Sequence, residues 1–339
     1  MTSTLVIQTS YLGDAVLTTP LLSQMANRGP VDVVVTPASA ALLVGHPAVR
    51  EVIVYDKRKA DRGIPGFLRL VARLRRSQYD VALLAQGSWR SSALALLAGI
   101  PQRLGFSTSA GRLLYTKRVQ YRDDLHHAAR LLMLARPNGR EPTPEELRPS
   151  LHPGEDERST VNALLSANGV VSGKPLVAVA PGSVWGTKRW PFYPELAFAL
   201  EGIARVVIIG SKADAGLARA ILDASPRVID ATGKLTLLES AELIGRASVL
   251  VTNDSAPEHL ASAMNTPTIA IFGPTITAFG FGPLADERLV LGVDGLPCRP
   301  CDRHGPMVCP LGHHKCMRDL RLDTVETAVR KILAGITPA

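Results

Sequence analysis

Short apolar runs recur along the chain, separated by stretches with helical spacing. Residues 4–9 form an apolar run ending in a turn; Val31–Val35 (VDVVV), residues 52–55 and residues 81–85 (VALLA) follow, each reading as a buried strand. Between them, residues 14–27 have the length and spacing of a helix, and residues 67–76 set apolar positions on one face against arginines on the other. Strands alternating with helices predict a parallel sheet with helices on both sides. After a polar, proline-rich stretch at 137–153 the pattern restarts with a helix at 155–168. Strands follow at Leu176–Ala180 (LVAVA), 206–209, 249–252 and 268–272, and Leu322–Leu333 reads as a closing helix.

The two halves echo each other loosely. Residues 81–106 run strand, QGS, small-residue helix, Ile-Pro, strand, and residues 249–272 run strand, NDS, small-residue helix, Thr-Pro, strand. A length of 339 residues also exceeds what one core comfortably serves. The expected organisation is an α/β chain of two doubly wound domains, 1–153 and 154–321, with 322–339 as a terminal helix that could pack back on the first domain. Two such domains facing each other would place a cleft at the carboxyl ends of their strands.

Composition narrows the partners. The formal net charge is +8, which favours an anionic partner such as a nucleotide, a phosphorylated substrate or a membrane face. Aromatic residues are only 5%, which argues against stacking platforms for single-stranded nucleic acid. The start, MTSTLVIQTS, lacks the features of a signal peptide, and the longest apolar stretch, 93–100, is far shorter than the roughly 18 residues of a spanning helix. The expectation is a cytoplasmic protein that meets a membrane, if at all, at its surface.

Three segments could carry chemistry. The stretch SYLGDAVLTTPLL sets Asp14 at the start of a helical pattern just after the first strand, where it could be a helix cap or a catalytic base. The loop APGSVWGTKRWP offers Gly182, Ser183, Gly186 and Thr187, whose backbone N–H groups can approach an anion, with Lys188 and Arg189 beside them. It is not a Walker A loop, and no G-x-G-x-x-G follows the first strand, so a nicotinamide dehydrogenase loses ground. In VTNDSAPEHLASAMNTPTIAIFGPT a strand leads through Asp254, Ser255 and Ala256 into a helix. That start is either an ordinary N-cap or a diphosphate site, with His259 one turn inside.

Taken together these segments resemble the glycosyltransferases of family 9, which transfer heptose from ADP-heptose to the inner core of lipopolysaccharide. The resemblance covers nearly the whole chain. The ending CRPCDRHGPMVCPLGHHKCMRDL is most similar to the branch that adds the second heptose to the first. The resemblance implies a GT-B fold with the acceptor domain first, the nucleotide-sugar domain second, and reaction in the cleft. It implies Asp14 as the catalytic carboxylate and Lys188 as the basic residue near the donor diphosphate. Ser183, Gly186, Thr187, Asp254, Ser255, Ala256 and His259 then belong to the donor site. The family often has Thr-Gly where this chain has Ser255-Ala256, which leaves phosphate binding intact and a glycine-specific approach in doubt.

On this reading ADP-heptose is a co-substrate and no cofactor is required, since no Asp-x-Asp triplet is present to hold a divalent metal. The acceptor is an anionic lipid-linked sugar. Gly13, Lys57, Arg58, Arg62 and Arg112 are the residues expected to meet it or the inner face of the membrane, although for any one cluster a solvated surface is an equal reading. Cys298, Cys301, Cys309 and Cys316, spaced C-x2-C-x7-C-x6-C, would suit a compact zinc site in isolation. The second close pair is missing, which favours reduced packing thiols or redox-sensitive pairs. Another GT-B transferase or epimerase, and a non-catalytic nucleotide-sugar or metal-binding module, remain as alternatives.

Overall fold

The computed structural model describes residues 1–136, 139–170 and 174–335. Pro137 and Asn138, at the head of the proline-rich stretch, and residues 336–339, at the end of the terminal segment, lie outside the described residues. The chain divides into two compact units, Met1–His152 and Pro153–Ala339.

The first unit holds six strands: β1 (Thr4–Gln8), β2 (Val31–Val35), β3 (Glu51–Val54), β4 (Val81–Leu84), β5 (Gln102–Phe106) and β6 (Lys117–Val119). All pair in parallel, in the order β3-β2-β1-β4-β5-β6. The central strands β1 and β4 are buried at every position, as expected where helices cover both faces of a parallel sheet. The edge strand β3 buries only Ile53 fully. A carboxylate inside the valine run of β2, Asp32, is tolerated because it accepts Arg50 Nε at 2.9 Å, Arg50 Nη2 at 2.6 Å and Tyr79 OH at 2.6 Å.

The helix expected over 14–27 is two helices, Leu12–Leu17 and Thr19–Ala26. Pro20 has no N–H to continue the ladder. The Thr18 and Thr19 hydroxyls take over the carbonyls of Asp14 at 2.7 Å and Val16 at 2.8 Å. The break leaves Asp14 in a short, separate helix directly after β1.

The second unit repeats the design with β7 (Leu176–Ala180), β8 (Arg205–Ile208), β9 (Ile229–Asp230), β10 (Val249–Asn253), β11 (Thr268–Ile271) and β12 (Arg288–Leu291). Their order is β12-β11-β10-β7-β8-β9, again all parallel. In each sheet the first strand lies beside the fourth, so the winding reverses at β1/β4 and at β7/β10. Such reversals leave room for ligands at the carboxyl ends of the strands.

The closing helix belongs to the second unit's core. Val325, Ala328, Val329 and Ile332 of Leu322–Leu333 join it with Tyr193, Leu196 and Leu200. Trp190 Nε1 donates to Leu320 O at 2.9 Å and pins the chain just before it. Ile332→Ala should therefore lower the stability of the second unit by about 2 kcal/mol. Chemical denaturation followed by tryptophan fluorescence measures it, and an unchanged midpoint would show that the helix is not part of that core.

Candidate active site

In the first unit the reversal places the loop after β1 beside those after β3 and β4. The Leu12–Leu17 helix begins at Tyr11, which makes no side-chain cap, and Asp14 stands in its first turn. The Asp14 carboxylate accepts hydrogen bonds from the Tyr11 backbone N–H and the Ser10 side chain, which gives it part of a capping role. Those bonds favour the ionised form, yet desolvation by burial outweighs them and raises the pKa from 3.8 to about 6. Cap and base are thus compatible at this residue, because burial, not helix N–H groups, sets its proton affinity.

Across from Asp14 lies a residue that the sequence reading did not single out. His127 Nε2 is 3.5 Å from Asp14 Oδ1, and the two side chains are only 13% and 17% exposed. The signal in the sequence was the pair His126-His127 opening an apolar helix, which reads as easily as a cap. His126 is indeed that cap, accepting from Ala128 N at 3.2 Å.

Lys57 reaches the same sheet edge. Its Nζ donates to Thr9 Oγ1 at 2.9 Å, Thr9 donates on to Gln86 Oε1 at 2.7 Å, and Ser91 donates to the same oxygen at 3.1 Å. Burial lowers the Lys57 pKa, with the charges of Arg90 and Arg58 adding to the effect. Gly13 sits in the first turn beside Asp14, whereas Arg58 and Arg62 are exposed after β3 and Arg112 is exposed after β5. Arg90, missed in the sequence, is the second cation of the Lys57 cluster.

In the second unit the loops after β7, β10 and β11 converge. Lys188 Nζ donates to Asp254 Oδ2 at 2.6 Å, and Thr275 Oγ1 donates to the same oxygen at 2.5 Å. Lys188 and Asp254 side chains are 8% and 11% exposed, so this is a nearly buried ion pair. Asn253 locks the loops behind it: its Oδ1 accepts from Trp190 N at 3.1 Å, and its Nδ2 donates to Pro181 O at 2.9 Å. Ser255 starts the Ala256–Met264 helix in an extended conformation without a side-chain cap, its hydroxyl turned to Asn253 O at 3.3 Å. The Ala256 N–H is therefore not taken by a capping side chain, while Pro257 has no N–H and Glu258 N donates to Ser255 O at 3.1 Å.

Glu258, also missed in the sequence, lies on the same helix. It is fully buried, neither carboxylate oxygen has a hydrogen-bond partner, and burial together with the Asp254 charge pushes its pKa well above the ordinary value against the pull of Lys188. A carboxyl in that setting is neutral. His259 is buried at 5% exposure, its ring 6.4 Å from that of Phe281.

Two of the expected donor-loop residues are occupied elsewhere. Thr187 donates its hydroxyl to Pro306 O at 2.5 Å and its N–H to the same oxygen at 3.3 Å, while its carbonyl contacts His314 Nε2 at 2.8 Å. Gly186 is needed for close packing, since a Cβ there would lie 2.4 Å from Met307 O. Ser183 turns its carbonyl to the Arg189 guanidinium at 2.7 Å and its hydroxyl to Trp185 N at 3.2 Å. The Thr187 hydroxyl and N–H are thus committed to Pro306, and Gly186 lets Met307 pack closely against the loop.

Their partners belong to the cysteine-rich segment. Cys301 N donates to Pro274 O at 2.9 Å, and Trp185 stacks on His304 at 5.9 Å, so this segment straps the β7 and β11 loops together. The four cysteines are free thiols. Burial raises Cys316 to about 11, and the like charges of the other cysteines reinforce it. Among the described residues no group of three or more His, Cys, Asp or Glu is placed to hold a metal ion, so the zinc alternative at Cys298, Cys301, Cys309 and Cys316 finds no ligand set there.

Comparison with known proteins gives this geometry a family. A sequence profile described as glycosyltransferase family 9 (heptosyltransferase) matches residues 67–310. Lipooligosaccharide heptosyltransferase 2 of Haemophilus influenzae is 28% identical over 350 residues, covering 97% of each chain. Lipopolysaccharide heptosyltransferase 2 of Escherichia coli (strain K12) is 31% identical over 307 residues, covering 85% of this chain and 87% of that one. Among solved structures, ADP-heptose LPS heptosyltransferase II of Escherichia coli superposes with a TM-score of 0.80 at 26% identity over 99% of both chains. A family 9 glycosyl transferase from Veillonella parvula reaches 0.87 at 23% identity over 98% of both. The fold is the GT-B class expected from the sequence.

Two measurements test the site's electrostatics. Below pH 3.8 native and unfolded chains both hold the Asp14 proton, and between 3.8 and about 6 only the native chain does. Native stability attributable to Asp14 should therefore fall as pH rises through that window, by on the order of 3 kcal/mol. Asp14→Asn should be more stable than the parent at pH 7.5 and lose that advantage at pH 4; parallel stability curves would refute the burial argument. Lys188→Met should cost about 3 kcal/mol by stranding Asp254, and Lys188→Met with Asp254→Leu should recover most of it in urea denaturation.

Proposed function

The chain belongs to glycosyltransferase family 9, the heptosyltransferases, and on that premise we propose that it moves a heptose from ADP-heptose to the inner core of lipopolysaccharide or lipooligosaccharide, with inversion. The preferred acceptor is a core that already carries its first heptose, as the names of the similar heptosyltransferases 2 suggest. One observation carries the assignment of the donor site: Lys188 is held by Asp254 immediately before the uncapped start of the Ala256–Met264 helix. A diphosphate there meets an ammonium and free backbone N–H groups together.

In the proposed reaction the acceptor hydroxyl gives its proton to the Asp14 carboxylate while its oxygen bonds to the anomeric carbon. The bond from that carbon to the diphosphate oxygen breaks, and ADP leaves with the electron pair. A carboxylate with a pKa of about 6 is ionised at neutral pH and still basic enough to take a proton in the transition state. Negative charge growing on ADP is stabilised by Lys188 and by the N–H groups at Ser255 and Ala256. Asp254 and Thr275 orient Lys188 instead of touching the donor, and Ser183, Gly186 and Thr187 shape the loop. His259 packs within the same helix.

On the acceptor side, Lys57 and Arg90 form a cationic cluster at the same sheet edge, and Gly13 lies in the turn that carries Asp14. Arg58, Arg62 and Arg112 supply exposed positive charge for a phosphorylated acceptor and the anionic inner face of the membrane. No helix among the described residues is long and apolar enough to cross a membrane. Contact in this reading is peripheral. Protein cations replace a divalent metal, no cofactor is required, and nucleic acid is not a partner.

Turnover of ADP-heptose on acceptors with and without the first heptose tests the reading directly. Transfer should require that heptose and persist in EDTA, with an acidic limb near pH 6 in kcat/KM. Asp14→Asn should lower kcat by about 100- to 10,000-fold while the fold is retained. Equal use of both acceptors would reassign the substrate, and loss of activity in EDTA restored by Mg²⁺ would refute metal independence.

A further inference from the structure

The Asp14 carboxylate has an unusual setting for a base: nearly buried, held from one side by its own turn, and faced from the other by a single imidazole. His127 is the first residue of the His127–Ala135 helix, which packs against both Leu12–Leu17 and Thr19–Ala26. Its position is rigid. Arg130, one turn on and 2% exposed, donates to Arg122 O at 2.7 Å, Asp123 O at 2.6 Å and Tyr121 OH at 2.8 Å, clamping the start of that helix to the preceding loop.

The other elements around Asp14 offer no competing charge. The helix Thr19–Ala26 (TPLLSQMA) and the helix Pro37–Leu43 (PASAALL), both packed on Leu12–Leu17, carry no titratable side chain. On the helix His127–Ala135, Arg130 is committed to the loop carbonyls and Tyr121, while His126 caps the helix. Ser10 and Tyr11 are Asp14's own turn. Among the described residues, His127 is the ionisable side chain that pairs with Asp14, at 3.5 Å.

We propose that His127 is a positioning residue for Asp14, its Nε2–H edge fixing the carboxylate's orientation and favouring its ionised form, so that the base is ready at neutral pH. This rests on the reading of Asp14 as the base. With its proton on Nε2, or with both nitrogens protonated, an imidazole 3.5 Å from this nearly buried carboxylate stabilises the charged state. Its removal therefore moves the Asp14 pKa up in either case.

The test compares His127→Ala, His127→Gln and Asp14→Asn in the full-length enzyme. His127→Ala should shift the acidic limb of kcat/KM upward by about one pH unit, equivalent to a tenfold weaker hold on the ionised form. Its kcat/KM should fall about tenfold at pH 5 and about twofold at pH 7, with the loss at pH 7 returning at pH 9. His127→Gln keeps an N–H donor and should restore most of the turnover. Carbon-13 NMR titration of labelled aspartate reads the Asp14 pKa without turnover and should show the same upward shift in His127→Ala. An unchanged limb and unchanged carboxyl titration in both variants would overturn the proposal while an inactive Asp14→Asn left the base reading standing. Full turnover in Asp14→Asn would overturn both.

Discussion

Everything functional in this chain follows from the reversal of winding in two parallel sheets. A parallel strand must return by a crossover, and when crossovers run to opposite sides of two adjacent strands, the loops at their carboxyl ends part and leave a hollow. Here the reversals fall at β1/β4 and β7/β10. The first delivers Asp14 directly after β1, and the second brings Lys188, from the loop after β7, to Asp254, which follows β10. Asn253, buried at the end of β10, holds the second arrangement by bonding both ends of the long β7 loop.

Burial then sets the surroundings of each acid. Asp14 is desolvated without a strong cation and rises to about 6. The Asp254 side chain is at least as buried but has an ammonium at 2.6 Å and a hydroxyl at 2.5 Å. Glu258, one turn further on and without a partner for either oxygen, stays neutral. Burial thus raises the proton affinity of Asp14 and Glu258, because a buried charge persists only where hydrogen bonds or an opposite charge offset the loss of water.

The interior strands were legible because parallel sheets covered on both faces require nearly continuous apolar runs, and VDVVV, LVAVA and TIAI stand out against helical spacing. The loops after β1, β7 and β10 were legible as well, since glycine, hydroxyl and basic residues cluster at the ends of those runs. Their individual roles were less so. Thr187 and Gly186 look like anion-loop residues, yet their partners are Pro306 and Met307, more than a hundred positions away. The split of the first helix was written in Thr18-Thr19-Pro20, but only hydroxyl bonds to the carbonyls of Asp14 and Val16 reveal how the ladder is handed over.

By itself the sequence determined the two α/β units and the order of their interior strands, because strand burial is a periodic constraint, while the short or half-exposed strands β6, β9 and β12 had no such signal. Tertiary structure alone decided that His127 faces Asp14, that Thr275 shares Asp254 with Lys188, that Glu258 is sealed without a partner, and that the cysteine segment straps the loops after β7 and β11. It also gave the closing helix to the second core. These are meetings of residues distant in the chain or choices of burial, and the proton affinity of a carboxyl group depends on those surroundings far more than on its neighbours in sequence.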